Sequence, residues 1–219
     1  MEYLKLEEDL KMQDKIFDIC GTLYNSNTTM DFCEYQCKNK SYQFILHLSK
    51  TIAGKVINKI LMKSFSYDFI RALHVKSLKG LTKQTINNNA TLFVNNYLEN
   101  HKIDEVHRLF DKYNKEEIIL VSATLEPIAQ AIAKKLGDLK YFSTTLEYKR
   151  DKCLGKIKND LLGNKQNYFD GQELEFIITD NKSDLKLCKM ANEVVIVSKK
   201  KNLSFWKSQD LKIKKIIKV

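Results

Sequence analysis

Short apolar runs recur along the chain and predict the strands of a buried sheet. Each run is continuously hydrophobic rather than alternating, which is typical of parallel strands covered on both faces. The main runs are residues 16–19, 118–121, 176–179 and 194–197, with weaker candidates at 140–142 and 213–219. A small hairpin is expected at 145–158, where the pattern alternates and includes Gly155.

Apolar residues at helical spacing separate these runs. Helices are predicted over 125–136, ending at Gly137, and around 183–190, each after a strand. This strand–helix alternation predicts an α/β fold with a Rossmann-like parallel sheet.

The interval between the first two strands is about ninety residues long and far exceeds one crossover helix. It reads as helical, with segments at 44–62, 83–100 and 103–113. We therefore expect an inserted all-helical cap at 27–113, on a core formed by 1–26 and 114–219.

The charge balance argues for an anionic partner but against nucleic acid. The 219 residues carry 37 basic and 27 acidic side chains, a net charge of +10. Only Arg71, Arg108 and Arg150 are arginines, whereas base recognition relies on arginine forks. This balance indicates either a solvated basic surface or attraction to phosphorylated or other anionic partners. The basic apolar stretch 42–75 is expected to pack within the cap, and it leaves peripheral membrane contact or a lipid-linked substrate open.

The chain shows no apolar run of the ~18 residues that a membrane span needs. Residues 1–14 lack the apolar core of a signal peptide, so we expect a cytoplasmic protein. Its five cysteines are then expected to be reduced thiols. Cys33 and Cys37 lie on one helix face, but no second Cys/His pair at suitable spacing accompanies them, which disfavours zinc.

Polar residues stand where the predicted strands end, and the ends of parallel strands meet at one edge of a sheet. They are Asp18, Ser122, Lys165, Asp180 and Asp184. Carboxylates gathered this closely repel one another unless a cation compensates them. Mg²⁺ suits such a set, because it takes oxygen ligands from one or two carboxylates and a substrate phosphate.

The order of these motifs resembles the haloacid dehalogenase superfamily. Asp18-Ile19-Cys20-Gly21-Thr22-Leu23 is followed by an apolar-Ser motif at Ser122, then Lys165, then Asp180-x-x-x-Asp184. The stretches 121–127, 146–147 and 154–157 are similar to the phosphoserine-phosphatase-like subclass, and a helical cap between the first two motifs also fits it.

The resemblance implies Mg²⁺-dependent hydrolysis of a phosphomonoester through an aspartyl-phosphate on Asp18. Asp18, Asp180 and the backbone carbonyl of Cys20 would bind the metal, with Asp184 supporting them. Ser122, Thr22 and Lys165 would bind the substrate phosphate, with Thr22 also ordering the loop and Lys165 neutralising charge during catalysis.

Other interpretations of the same residues remain open. Asp18 could form a turn, Ser122 could lead into a helix capped by Thr124, and Asp180 and Asp184 could be helix-terminal acids. Lys165 has neighbours that could replace it: Lys156, Lys158 and Lys182. Arg71, Arg108 and His74 of the presumed cap are expected to be solvated rather than to contact substrate.

Cys20 departs from the pattern of the resemblance. Phosphatases of the superfamily usually carry aspartate there, which protonates the leaving group and then activates water. A thiol performs that acid/base role poorly, and its loss typically costs about 10²- to 10⁴-fold in rate. The resemblance therefore permits a slow or specialised phosphatase, another branch of the superfamily, or a non-catalytic phosphate-binding protein. Substrate identity and oligomeric state are not encoded in these patterns.

Overall fold

A computed structural model describes residues 14–65, 68–169 and 172–219. Within these residues a seven-stranded sheet forms in the order β4-β3-β2-β1-β5-β6-β7. The strands are Lys15–Phe17 (β1), Ile118–Leu125 (β2), Lys140–Lys149 (β3), Lys152–Asn159 (β4), Leu174–Thr179 (β5), Ala191–Ser198 (β6) and Ile213–Lys218 (β7). The predicted core residues 1–13 lie outside the described residues.

Every neighbouring pair of strands is parallel except β3 and β4. The predicted α/β class with a Rossmann-like parallel sheet is confirmed. The central strand β1 has only three residues, and Phe17 pairs with Leu120 on one side and Ile178 on the other. The chain therefore leaves the sheet at Asp18, between the ends of β2 and β5.

Helices cover both faces of the sheet. They are Thr28–Gln36 (α1), Lys40–Ser49 (α2), Ile52–Phe65 (α3), Phe69–Lys76 (α4), Lys83–Asn96 (α5), Asp104–Phe110 (α6), Glu126–Gly137 (α7), Leu185–Lys189 (α8) and Leu203–Lys207 (α9). No helix among the described residues has the length and apolarity required to cross a bilayer.

The helices between β1 and β2 fall into two packing groups. Helix α5 packs against α7, and Phe110 of α6 meets Phe17 of β1 edge to face at 5.3 Å. Helices α1 to α4 pack on one another, but α1 also contacts α5 and β2, and α4 also contacts β4. Residues of α1 and α4, like those of α5 and α6, thus share the hydrophobic core of the sheet.

The hairpin predicted at 145–158 is confirmed, because β3 and β4 pair antiparallel from Thr145 and Asn159 to Lys149 and Lys152. Strand β3 runs unbroken to Lys149, and the turn falls at Arg150 and Asp151, which both have positive φ. Two left-handed residues form the tight turn whose twist matches antiparallel strands. Gly155 lies instead within β4, where an added Cβ would approach Lys76 Cα to 3.1 Å. Because Gly155 has no Cβ, the end of α4 can pack closely against β4.

The helix predicted over 44–62 is two helices, joined at Lys50 and Thr51. The Ser49 hydroxyl donates to the Leu46 carbonyl, and the Lys50 amide closes the last turn of α2. A Cβ on Gly54 would lie 2.2 Å from the Ser49 carbonyl oxygen, so α3 starts against the end of α2 only because residue 54 is glycine.

Candidate active site

Asp18 stands at the tip of β1, nearly inaccessible to solvent. Its amide donates to the Ile178 carbonyl at 3.0 Å and so extends the sheet by one residue. The Ile19 amide donates to Asp18 Oδ1 at 2.8 Å, which holds the carboxylate against the turn that follows. Asp18 is therefore not merely a turn former, because its carboxylate faces a cavity with other polar side chains.

The Gly21-Thr22 turn fastens this loop to the end of β5. Gly21 has φ +70°, and a Cβ there would lie 2.3 Å from Asp180 Oδ2. The Asp180 amide donates to Thr22 Oγ1 at 3.0 Å. Thr22 thus orders the loop, and its buried hydroxyl oxygen is the acceptor of this hydrogen bond from Asp180.

Lys165 joins the carboxylates of two separate segments. It lies in a short 3₁₀ turn before β5, and only 2% of its surface is exposed. Its Nζ lies 2.9 Å from Asp18 Oδ1 and 2.7 Å from Asp184 Oδ2. Burial alone would lower the pKa of Lys165, but the charges of both aspartates outweigh it and raise the pKa, so the ammonium stays charged.

The alternative lysines do not reach the site. Lys156 and Lys158 are exposed on β4, and Lys182 lies over the ring of Phe205 at 4.5 Å. Of the four candidates, the structure brings only Lys165 to Asp18.

Asp180 and Asp184 have different surroundings. Asp184 is buried, and its Oδ2 accepts hydrogen bonds from Lys165 and from Thr179 Oγ1, the latter at 2.7 Å. Asp180 lines the cavity beside Asp18 and Cys20. Burial and the charge of Asp18 raise the pKa of Asp180 to about 7, and burial also raises the pKa of Asp18.

The site is therefore short of positive charge. Three carboxylates share one ammonium, which leaves two negative charges when all are ionised. A divalent cation beside Asp18 and Asp180 would neutralise them, so this donor set fits Mg²⁺. Among the described residues, no three His, Cys, Asp or Glu side chains form a metal cluster by themselves. The remaining ligands would have to be backbone carbonyls, substrate oxygens or water.

Ser122 belongs to a buried chain of hydroxyl groups. Its Oγ lies 3.0 Å from Thr124 Oγ1, which lies 2.7 Å from Thr28 Oγ1 of α1. A hydrogen bond from Ser122 favours the ionised form of Asp18. Thr124 does not cap α7 as the alternative interpretation supposed, because Leu125 holds the cap position without a side-chain bond.

These groups open on a cavity of about 300 Å³. Helices α1 and α4 supply part of its wall, including Thr28, Met30, Asp68 and Arg71. A cavity of this size matches a small molecule rather than a polymer.

Arg71 and His74 are buried, so the expectation that both are solvated is wrong; Arg108 is exposed. Arg71 donates to Asp160, to the Ala123 carbonyl at 2.9 Å and to Thr144 Oγ1 at 3.2 Å. It thereby ties α4 to the sheet at the cavity wall. Asp160 and Ala123 are distant in sequence, so the pattern along the chain gave no signal for this clamp.

The thiol of Cys20 is half-buried and donates to the Ser26 carbonyl at 3.2 Å. Burial, with the charges of Asp18 and Asp180, raises its pKa to about 12, so the thiol remains protonated. Cys20 separates the cavity beside Asp18 from a second one of about 430 Å³, whose wall includes Lys199 and Lys201.

The chain matches the family model of the haloacid dehalogenase-like hydrolases over residues 16–189. A comparison with curated sequences found no relative of significant similarity. A protein of unknown function from Bordetella pertussis Tohama I has a similar structure, with TM-score 0.64 and 13% identity over 91% of this chain and 96% of that one.

Two enzymes of known activity share the fold. A phosphoserine phosphatase, solved as a phospho-aspartyl intermediate analogue, gives TM-score 0.54 and 18% identity over 93% of each chain. A cytosolic 5'-nucleotidase IIIB, bound to cytidine, gives TM-score 0.57 and 10% identity, and the match covers 99% of this chain and 82% of that one. At these identities the similarity establishes the fold.

Proposed function

The chain belongs to the haloacid dehalogenase-like hydrolases, and on that premise we propose that it hydrolyses phosphomonoesters through an aspartyl-phosphate on Asp18. The observation that carries the proposal is the pairing of Asp18 with Lys165 at 2.9 Å on the wall of a cavity. A carboxylate that lies beside an ammonium group is, in its ionised form, a suitable nucleophile for phosphorus.

In the first step an oxygen of Asp18 attacks phosphorus and the bond to the ester oxygen breaks. The Ile19 amide and Lys165 both contact Oδ1, so we assign the attack to Oδ2. Lys165 neutralises the negative charge that Asp18 and the phosphoryl group bring together, and Ser122 donates to a phosphoryl oxygen. The leaving oxygen takes its proton from the bulk solvent, because residue 20 carries no carboxylic acid to deliver one and its thiol proton is directed at the Ser26 carbonyl.

In the second step water attacks the same phosphorus atom. The bond between phosphorus and the Asp18 oxygen breaks, inorganic phosphate leaves and the carboxylate is restored. The water loses its proton to solvent, since residue 20 carries no base. Both steps thus lack acid/base help, which predicts slow turnover or a substrate whose leaving group needs little protonation.

Mg²⁺ is the proposed cofactor. Asp18 and Asp180 would hold it with the backbone carbonyl of Cys20, while Asp184 acts by positioning Lys165. The ion would supply electrostatic stabilisation of the phosphoryl oxygens. Mg²⁺ should raise the unfolding temperature of the wild type, and Asp180→Asn should abolish that rise. Asp210→Asn, at an exposed position, is the matched control.

We assign substrate selection to α1 and α4, which line the cavity. The helical cap predicted at 27–113 remains a proposal. Because α5 and α6 pack on the core of the sheet, its selective part is expected to be the α1–α4 group.

The rival function is a phosphate-binding protein without turnover, and substitution of Asp18 separates the two. With Mg²⁺ and an aryl phosphate, Asp18→Asn should lower kcat by about 10⁴-fold or more. Asp210→Asn should leave kcat unchanged. Equal background rates in wild type and Asp18→Asn, with inorganic phosphate still bound, would favour the rival.

A further inference from the structure

Helices α2 and α3 expose their apolar residues. On α2, Phe44 is 67% exposed, and on α3, Ile52 and Ile60 are 84% and 59% exposed. None of residues 52–64 is buried. A helix of a globular protein ordinarily turns such residues toward the core. These two helices, called here the α2–α3 pair, do the reverse.

The inward face of α3 is fixed by small and polar residues. Its half-buried residues Gly54, Asn58 and Leu61 follow helical spacing. The side-chain oxygen of Asn58 accepts a hydrogen bond from the backbone amide of Ile70 at 3.0 Å, and its side-chain nitrogen donates to the Asp68 carboxylate at 3.1 Å. These bonds tie α3 to the start of α4. Gly54 allows the close approach to Ser49. These contacts orient α3 so that its apolar side faces outward.

A row of lysines borders this apolar face. Lys55, Lys59 and Lys63 recur every four residues and are all exposed. At about 100° per residue, Ile52, Val56, Ile60 and Ile57 span roughly 140° of the helix, while Lys55 and Lys59 lie beyond one edge of this arc and Lys63 lies just inside that edge. An apolar face bordered by lysines is the arrangement of helices that lie in a membrane interface.

The charge of this region is wholly positive. Residues 35–67 contain six lysines and no aspartate or glutamate. We propose that the α2–α3 pair docks on an anionic lipid surface, with its apolar face among the acyl chains and its lysines at the headgroups. A second copy of this chain is a poorer occupant, because two such faces would bring like charges together.

The docked helices would lie one layer from the cavity. Helix α3 packs on α4, and Arg71 of α4 and Asp68, which caps its N-terminus, line the cavity wall. The proposal does not depend on the proposed hydrolysis, and a binding assay tests it without turnover.

The test is flotation of the full chain with vesicles of phosphatidylcholine, with and without phosphatidylserine at about a third of the lipid. The wild type should float only with the anionic vesicles, and less as salt rises. A triple variant, Lys55→Gln, Lys59→Gln and Lys63→Gln, should bind about 100-fold more weakly, at about fivefold per lysine. A second variant, Ile52→Gln with Ile60→Gln, should lose at least about tenfold.

Matched changes elsewhere serve as controls. Lys112→Gln, Lys207→Gln and Lys218→Gln remove the same charge from exposed positions, and Leu92→Gln removes an exposed apolar side chain of α5. Both should keep wild-type binding, and all variants should keep the wild-type circular dichroism. The proposal is overturned if wild type does not float, if the controls lose binding equally, or if the isoleucine variant instead dissociates an oligomer in sedimentation velocity.

Discussion

Folded proteins ordinarily bury apolar side chains and expose charged ones. The Asp18 site and the α2–α3 pair depart from this rule in opposite directions. The site buries an ammonium and two carboxylates, and each charge has a partner within 2.9 Å. The α2–α3 pair exposes its apolar residues, with no covering partner in the described chain. Buried charge is stable here because distant segments compensate it, whereas the exposed apolar face calls for a partner outside the chain.

Among the tests of this comparison, removing the buried ammonium group should change activity and stability the most. Lys165→Met leaves Asp18 and Asp184 without their shared cation, so kcat should fall by about 10³-fold. The free energy of unfolding should fall by about 3–5 kcal/mol, because two buried carboxylates are uncompensated. Lys158→Met, at an exposed lysine of β4, should change neither quantity. Steady-state kinetics and urea unfolding test both, and an unchanged kcat would remove Lys165 from the site.

A matched pair of isoleucines tests the contrast in burial. Ile119→Ala, at a fully buried position of β2, should lower the free energy of unfolding by about 2–5 kcal/mol. Ile60→Ala, on the outer face of α3, should change it by about 0.5 kcal/mol or less. A large loss at Ile60 in urea unfolding would mean that α3 buries this face.

Restoring an acid at residue 20 should increase activity. In Cys20→Asp the new carboxyl would lie beside Asp18 and Asp180, whose charges favour its protonated form, and could donate to Ser26 as the thiol does. A rise in kcat of about 10- to 100-fold is expected, within the usual range of acid/base catalysis. Cys20→Ser should give no such gain. A loss of activity in Cys20→Asp would show that the site is adapted to other chemistry.

Alanine variants of two glycines with similar φ distinguish the effect of a Cβ clash with a neighbour from the effect of backbone strain alone. Gly21 and Gly80 have φ +70° and +87°, but only at Gly21 does a Cβ meet a neighbour, Asp180 Oδ2. Gly21→Ala should lower kcat by at least about tenfold by displacing that carboxylate. Gly80→Ala should cost only about 1 kcal/mol of stability. Equal effects of the two variants on kcat would show that the contact with Asp180 is unimportant.

Features set by strand ends could be predicted from the sequence, and features set by tertiary contacts could not. Asp18, Ser122 and Asp180 follow apolar runs, so their convergence follows from a parallel sheet. The burial of Arg71 depends on Asp160, Ala123 and Thr144, which only the folded sheet brings together. The alternating pattern predicted the hairpin at 145–158, but not that its turn falls at Arg150 and Asp151 while Gly155 contacts the end of a helix.

The sequence left peripheral membrane contact of the stretch 42–75 open, but it favoured packing within the cap over the outward face that α3 has. Its isoleucines follow helical spacing, and such a pattern ordinarily indicates a core-facing helix. The bonds of Asn58 to α4 and the approach of Gly54 to Ser49 turn that face outward. Both are long-range or packing effects that a pattern of hydrophobic residues does not encode.

The central claim is that Asp18 carries the phosphoryl group, and a quenched single-turnover reaction tests it most directly. The protein would be mixed with an aryl phosphate and Mg²⁺, stopped in acid and digested for peptide mass spectrometry. The peptide that contains Asp18 should gain the mass of one phosphoryl group, and the same peptide of Asp18→Asn should not. Release of phosphate by wild type with no phosphoryl group on Asp18 would contradict the account.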